Sequence, residues 1–218
     1  MKNIFRKNLA FLIPYLIFLI LAVFFLIAYD KRTIHIFLNG LNNDFGDFLF
    51  KWATFLGDGL FVGFLAIIFL FIRYRYGLGI AITALATGII IQVLKQFIFP
   101  GIARPVEFFG DSFTLQLVHG VKLYKWHSFP SGHTASAFAL FFTLAVFSSK
   151  GWIKFLCFIP AVLVGYSRIY LSQHFLIDVT AGSFIAVIVV ICYFTIMKEK
   201  NFAWMDASLV RRKKSYDE

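Results

Sequence analysis

Long uncharged apolar runs alternate with short polar segments along this chain, and their lengths predict membrane-crossing helices. Residues 9–29 carry no charge over 21 positions, which matches the roughly 20 apolar residues that cross a bilayer core. Comparable runs return at residues 53–72, 79–99, 131–149, 153–171 and 176–197. The expected fold class is therefore all-α, a polytopic membrane protein with six transmembrane helices, and residues 1–218 form one membrane domain. The first run exceeds the roughly 7–15 residues of a signal-peptide core, and Asp30-Lys31-Arg32 follows it instead of a small-residue cleavage site. It is expected to be retained.

The connections carry patterns of their own. Residues 33–51 set Ile34, Ile36, Phe37, Leu41 and Phe45 among Asn and Asp, which predicts an interfacial amphipathic helix broken near Gly40. The outer loop, residues 100–130, is the longest connection and is rich in Gly, Pro and aromatics. Residues 198–218 form a polar cytoplasmic tail, expected to lie on a surface or to be disordered.

Composition narrows the class. Apolar residues make up 60% and charged residues 15%, against about 45–50% and 25% for a soluble domain. A net charge of +10 would suggest nucleic acid in a soluble protein. Here the charge sits in short loops and the tail, so the expected partner is the lipid bilayer and no nucleic acid. Cys157 and Cys192 lie inside apolar runs without metal-ligand spacing, so no metal or cofactor is expected.

Charge also gives orientation. Thirteen of the 21 Lys and Arg residues fall on the side of the N-terminus: Lys2, Arg6, Lys7, Arg73, Arg75, Lys150, Lys154, Lys198, Lys200, Arg211, Arg212, Lys213 and Lys214. The positive-inside rule then places both termini in the cytoplasm. Trp52, Trp126, Trp152 and Trp204 mark predicted span ends, as interfacial aromatics do.

On this topology the costly polar residues gather at the outer face. Lys95 ends the third span, and Arg104-Pro105 lies in the outer loop. Pro130-Ser131-Gly132-His133 opens the fourth span, and Ser167-Arg168, His174 and Asp178 surround the turn between the last two. Buried and unpaired, each charged group would cost several kcal/mol. Together they suit a phosphate site. Ser131 is a natural N-cap, Gly132 lets a ligand approach the backbone, and a helix N-terminus attracts anions. Lys95, Arg104 and Arg168 supply positive charge for phosphate oxygens. His174 and Asp178, four residues apart, share a helix face, so the carboxylate can hold one ring nitrogen and leave the other free to attack. His133 can then protonate the leaving oxygen.

These residues resemble the type 2 phosphatidic acid phosphatase (PAP2) superfamily, whose pattern is K-x6-R-P, then P-S-G-H, then S-R-x5-H-x3-D. The second and third blocks match without deviation. The first departs, because eight residues separate Lys95 from Arg104, although Pro100 and Gly101 can bulge and return Lys95 to the site. The resemblance implies a six-helix membrane core, a phosphohistidine intermediate and metal-independent hydrolysis of a membrane lipid phosphate. Lipid A, undecaprenyl diphosphate and phosphatidylglycerol phosphate are the substrate classes. The Leu56-Gly57-Asp58-Gly59 stretch is similar to lipid A phosphatases of the family. The short single-domain chain and its topology point to a bacterial inner membrane, with the site at the periplasmic face. Phosphotransfer to another lipid uses the same first half-reaction, and a transporter that keeps only the phosphate clamp is a third reading. Asp58 is read either as a helix cap or as a residue that orients a motif cation; His35, His119 and His127 are read as loop residues.

Overall fold

The computed structural model describes residues 2–198, 200 and 202–210. Among them the chain is helical, with no β-strand. A short α1 (Lys2–Lys7) precedes α2 (Leu9–Ala28). Then come α3 (Lys31–Asn39), α4 (Asp44–Ala53), α5 (Gly59–Ile72), α6 (Tyr74–Val93), α7 (Pro105–Phe109), α8 (Gly132–Phe147), α9 (Gly151–Tyr170) and α10 (Leu176–Met197). The amphipathic segment does break near Gly40. Asp30 caps α3 through the backbone N–H groups of Arg32 and Thr33, and Asn43 caps α4 through that of Gly46.

Among the described residues, four helices are long and apolar enough to cross a bilayer: Leu9–Ala28, Tyr74–Ile98, Gly151–Tyr170 and Leu176–Met197. A fifth crossing forms if Asp44–Gly57 and Gly59–Ile72, bent by 56° at Asp58, count as one. Run length alone predicted six, and the difference lies chiefly at residues 131–149. The helix there, α8, has only 16 residues, about 24 Å at 1.5 Å per residue, against the ~30 Å of a hydrocarbon core. Its apolarity has another cause. Ala135, Ala137, Phe138, Ala139, Leu140, Phe142 and Ala145 are all buried, because α8 runs through the middle of the bundle.

Two apolar clusters flank that central helix. Phe11 and Tyr15 of α2, Ala161 of α9 and Ala186, Val187 and Val190 of α10 pack on one side, with Phe11 and Phe142 stacked at 4.6 Å. Val62, Ala66 and Ile80 of α5 and α6 pack against Leu140 on the other. Small residues let the helix axes approach. A polar contact adds to this: the Thr83 and Thr143 hydroxyls lie 3.0 Å apart between α6 and α8.

Two segments depart from the sequence expectation. Residues 202–210 partly dock on the bundle: Met205 is buried, the Tyr74 N–H donates to Ala207 O (2.9 Å), and Asp206 accepts from Arg75 Nε (3.3 Å). Residues 211–218 lie outside the described residues. His35 is helical and buried, not in a loop. It sits 3.3 Å from Ser172 Oγ, and burial lowers its pKa to about 4. Beside it, Asn39 exchanges two 2.8 Å hydrogen bonds with the Gln116 backbone, tying the outer loop to α3.

Gly182 sets the distance between α8 and α10, since a Cβ there would lie 2.5 Å from Ser131 O. Gly182→Val should lower thermal stability in detergent by about 1–3 kcal/mol, as overpacking does. Thermal unfolding followed by circular dichroism checks this.

Candidate active site

The turn between α9 and α10 brings the third motif block together. Gln173 and His174 both donate their backbone N–H to Arg168 O, at 2.9 and 3.0 Å. The turn therefore folds back onto the end of α9 and places His174 above the first turn of α10. His174 Nδ1 lies 3.3 Å from Asp178 Oδ2, the i,i+4 pairing expected from the sequence. The same carboxylate oxygen accepts the Ser128 hydroxyl at 2.5 Å and the Phe175 N–H at 2.9 Å. With Nδ1–H directed at the carboxylate, Nε2 keeps its lone pair, and no hydrogen bond reaches it among the described residues.

The second block is joined to the third through the backbone, because the Ser131 N–H donates to Asp178 O (2.9 Å). Ser131 caps α8, with its hydroxyl 2.8 Å from Thr134 Oγ1. It is fully buried, so its side chain serves the helix start. Gly132 is open: a Cβ would meet only Ile91, at 3.9 Å, which leaves room beside the N-terminus of α8. His133 points Nε2 toward Asp58 Oδ2, 3.8 Å away. Asp58 also caps α5 through the Leu60 N–H (2.8 Å). It therefore fills the capping role and also faces the His133 imidazole.

Both arginines are held by neutral groups. Arg104 donates from Nε to Trp126 O (2.9 Å) and from one terminal nitrogen to Gln173 Oε1 (3.1 Å). Its guanidinium also lies over the Tyr124 ring, 5.2 Å from the centroid. Arg168 donates to Thr54 Oγ1 (2.6 Å), while its Nε is buried with no partner. Lys95 lies in a π-helical turn, Leu94–Ile98, closed by the Phe99 N–H donating to Leu94 O (2.7 Å). That wider turn and the bend at Gly101 (φ 70°) take up the two extra residues of the first block. Lys95 ends nine-tenths buried, within electrostatic reach of Arg104, Arg168 and Asp178.

All eight residues singled out from the sequence thus meet at one end of the bundle. Sequence reasoning missed Ser128, Thr54 and Gln173. Nothing local marks Ser128, and Thr54 shows only as a hydroxyl in an apolar stretch. Lys122 and Lys125 of the outer loop are exposed, the latter paired with Glu107 at 3.1 Å. Burial, followed by the charges of Arg104, Arg168 and Lys95, holds the His174 pKa well below the ordinary 6.5. The imidazole is therefore neutral at physiological pH. A helix N-terminus, three cations and a neutral imidazole with a free nitrogen can hold a tetrahedral oxyanion against a nucleophile.

The fold is that of a helical membrane protein whose buried polar side chains gather at one end of the bundle. The chain belongs to the PAP2 superfamily, which residues 76–202 match. Among curated proteins it is 45% identical to undecaprenyl-diphosphatase of Sulfolobus acidocaldarius over 56 residues, covering 26% of this chain and 27% of that protein. It is 35% identical to probable lipid phosphate phosphatase 4 of Arabidopsis thaliana over 139 residues, covering 51% and 44%. The chain thus spans less than half the length of either relative. The crystal structure of LpxE from Aquifex aeolicus superposes with a TM-score of 0.66 at 31% identity, over 75% of this chain and 94% of that one. The first transmembrane PAP2-type phosphatidylglycerolphosphate phosphatase of Bacillus subtilis shares the fold, with a TM-score of 0.65 at 22% identity, over 89% and 98%.

Thr54→Val removes the acceptor of Arg168 and leaves a second guanidinium donor unmet. Vanadate, a phosphate mimic, should bind roughly 5–10-fold more weakly, the loss of about one hydrogen bond. Isothermal titration calorimetry measures it.

Proposed function

We propose that this chain is a metal-independent phosphatase that hydrolyses the phosphate of a membrane lipid through a phosphohistidine. The observation that carries the reading is the buried His174 imidazole, whose Nδ1 is committed to Asp178 while Nε2 has no hydrogen-bond partner among the described residues. Nε2 attacks phosphorus, the bond from phosphorus to the lipid oxygen breaks, and His133 gives its proton to that oxygen. Water then attacks phosphorus and passes a proton to His133. The P–N bond breaks, leaving His174 neutral and phosphate free. Lys95, Arg104, Arg168 and the N-terminus of α8 stabilise the charge that grows on the equatorial oxygens.

A groove supports a lipid as substrate. A cavity of about 750 Å³ runs between α5 and α6 from Gly59, Gln96 and Ser136 at the catalytic end to Leu70 and Gly77 at the other. Its wall is mostly apolar, so it suits a hydrocarbon chain whose phosphate reaches His174. Lipid A, undecaprenyl diphosphate and phosphatidylglycerol phosphate are the substrate classes, the last two in keeping with the activities named for relatives. The setting we propose is a bacterial inner membrane. The chain would cross it six times, with α8 as a short inner crossing, both termini cytoplasmic and the site periplasmic.

Phosphate release from these three lipids by the purified protein tests the reading. His174→Ala should lower the rate by at least roughly 10³-fold, the scale of nucleophile removal. Equal release by wild type and variant would sink the proposal.

The pH profile gives a second test. Protonated His174 cannot attack, so activity falls as pH drops through its pKa; because that pKa is depressed, the acid limb of kcat/KM should lie below pH 6.5. The alkaline limb reports the proton on His133. Asp58 is the carboxylate that faces His133, with Oδ2 3.8 Å from Nε2. Asp58→Asn keeps a good N-cap for α5 but removes the charge. The alkaline limb should move to lower pH by roughly 0.5–1 unit, on the scale of one partly exposed ion pair, with thermal stability unchanged. An unmoved limb would reduce Asp58 to a cap.

A further inference from the structure

The end of the bundle opposite the catalytic histidines holds a second cationic cavity, of about 630 Å³. It lies where α2, α6 and α9 begin and α8 and α10 end. Its lining includes Lys7, Arg75, Lys154 and Lys198, together with Ser149 and Thr195. From Lys154 to Arg168 is 14 residues along α9, about 21 Å, so the two sites do not share a ligand.

The cavity is built around Lys154, which is only 5% exposed. Its ammonium donates to Asn8 Oδ1 at 2.5 Å. Asn8 is itself buried and is held in place by donating from Nδ2 to Ile4 O at 2.8 Å. A preorganised neutral amide, with no counter-charge, therefore faces the buried cation. Lys7 lies close enough to repel it. Among the described residues, no carboxylate oxygen comes within 4.0 Å of a nitrogen of Lys7, Lys154 or Lys198. Asp206 is the one described carboxylate at this end, and it is engaged by Arg75 at 3.3 Å and Arg73 at 4.0 Å. The Thr195 hydroxyl is buried without a partner.

Lysine is almost never buried unless its charge is matched. Here three ammonium groups and one guanidinium line a single space. We propose that this cavity binds the phosphate group of an anionic ligand, with Lys154 as its floor and Lys7 and Lys198 at its exposed rim. A phosphate group offers several acceptor oxygens and at least one negative charge, which fits spare ammonium donors and a hydroxyl. The apolar part of the wall, formed by Ile4, Val146, Phe147 and Phe194, accommodates the glycerol and chain roots of a phospholipid. The proposal does not rest on the catalytic reading.

Native mass spectrometry of the delipidated full-length protein tests it, with phosphatidylglycerol, phosphatidylcholine or inorganic phosphate added back. The variants are Lys154→Gln and the double exchange Lys7→Gln/Lys198→Gln, whose two sites are exposed and safe for folding. Wild type should retain one phosphatidylglycerol more than either variant, with at least a 10-fold weaker affinity in the variants. The double variant should keep wild-type turnover of a water-soluble phosphomonoester. Retention of phosphatidylglycerol that survives excess inorganic phosphate assigns the site to a lipid headgroup. Displacement by inorganic phosphate, or retention of inorganic phosphate alone, assigns it to the free anion. Equal retention by wild type and both variants, or equal retention of phosphatidylcholine and phosphatidylglycerol, overturns the proposal.

Discussion

Asp178 is 1% exposed, yet its carboxylate is met by the Ser128 hydroxyl, the Phe175 N–H and His174 Nδ1, and its carbonyl by the Ser131 N–H. A buried carboxylate is tolerable only when its acceptor sites are filled in this way. The filling groups come from the loop before α8, the cap of α8, and the turn between α9 and α10. One charge therefore fixes the orientation of the imidazole, the start of two helices and the path of the loop between them. Gly182 is the steric side of the same constraint, because only a residue without Cβ lets α10 come this close to Ser131 O.

The cations around this carboxylate follow a different rule. Arg104 is held by a glutamine and a backbone carbonyl, and Arg168 by a threonine. Hydrogen bonds to neutral oxygens position a guanidinium without cancelling its charge, so the field stays available to an incoming oxyanion. Lys154 repeats the arrangement at the other end of the bundle, held by Asn8. Both ends of the bundle thus hold a buried cation through a neutral oxygen acceptor.

Much of this was legible from sequence because lipid penalises polar groups so strongly. In apolar sequence, Lys95, Arg104, His133, Arg168, His174 and Asp178 stand out, and charge asymmetry predicted their common end. The two histidines and Asp178 carry their relation in local spacing, four residues for the pair and two from the cap for His133. Hydropathy does not reveal the surroundings of α8, because a helix buried by protein and one bathed in lipid have the same composition. Asp58 could be read two ways, and its neighbour was settled by the 56° bend that points it at α8.

The sequence by itself determined the helical class, the family's second and third motif blocks and the identity of the charged groups, since these depend on run length, residue chemistry and short spacings. Only the tertiary structure decided which neutral groups hold those charges. Ser128 reaches Asp178 across 50 positions and Thr54 reaches Arg168 across 114. A hydroxyl so far away in the chain has no periodicity or spacing that ties it to its partner. It also placed Lys95, whose spacing departs from the family pattern, because a π turn and a glycine bend absorb extra residues in ways that a linear count does not show.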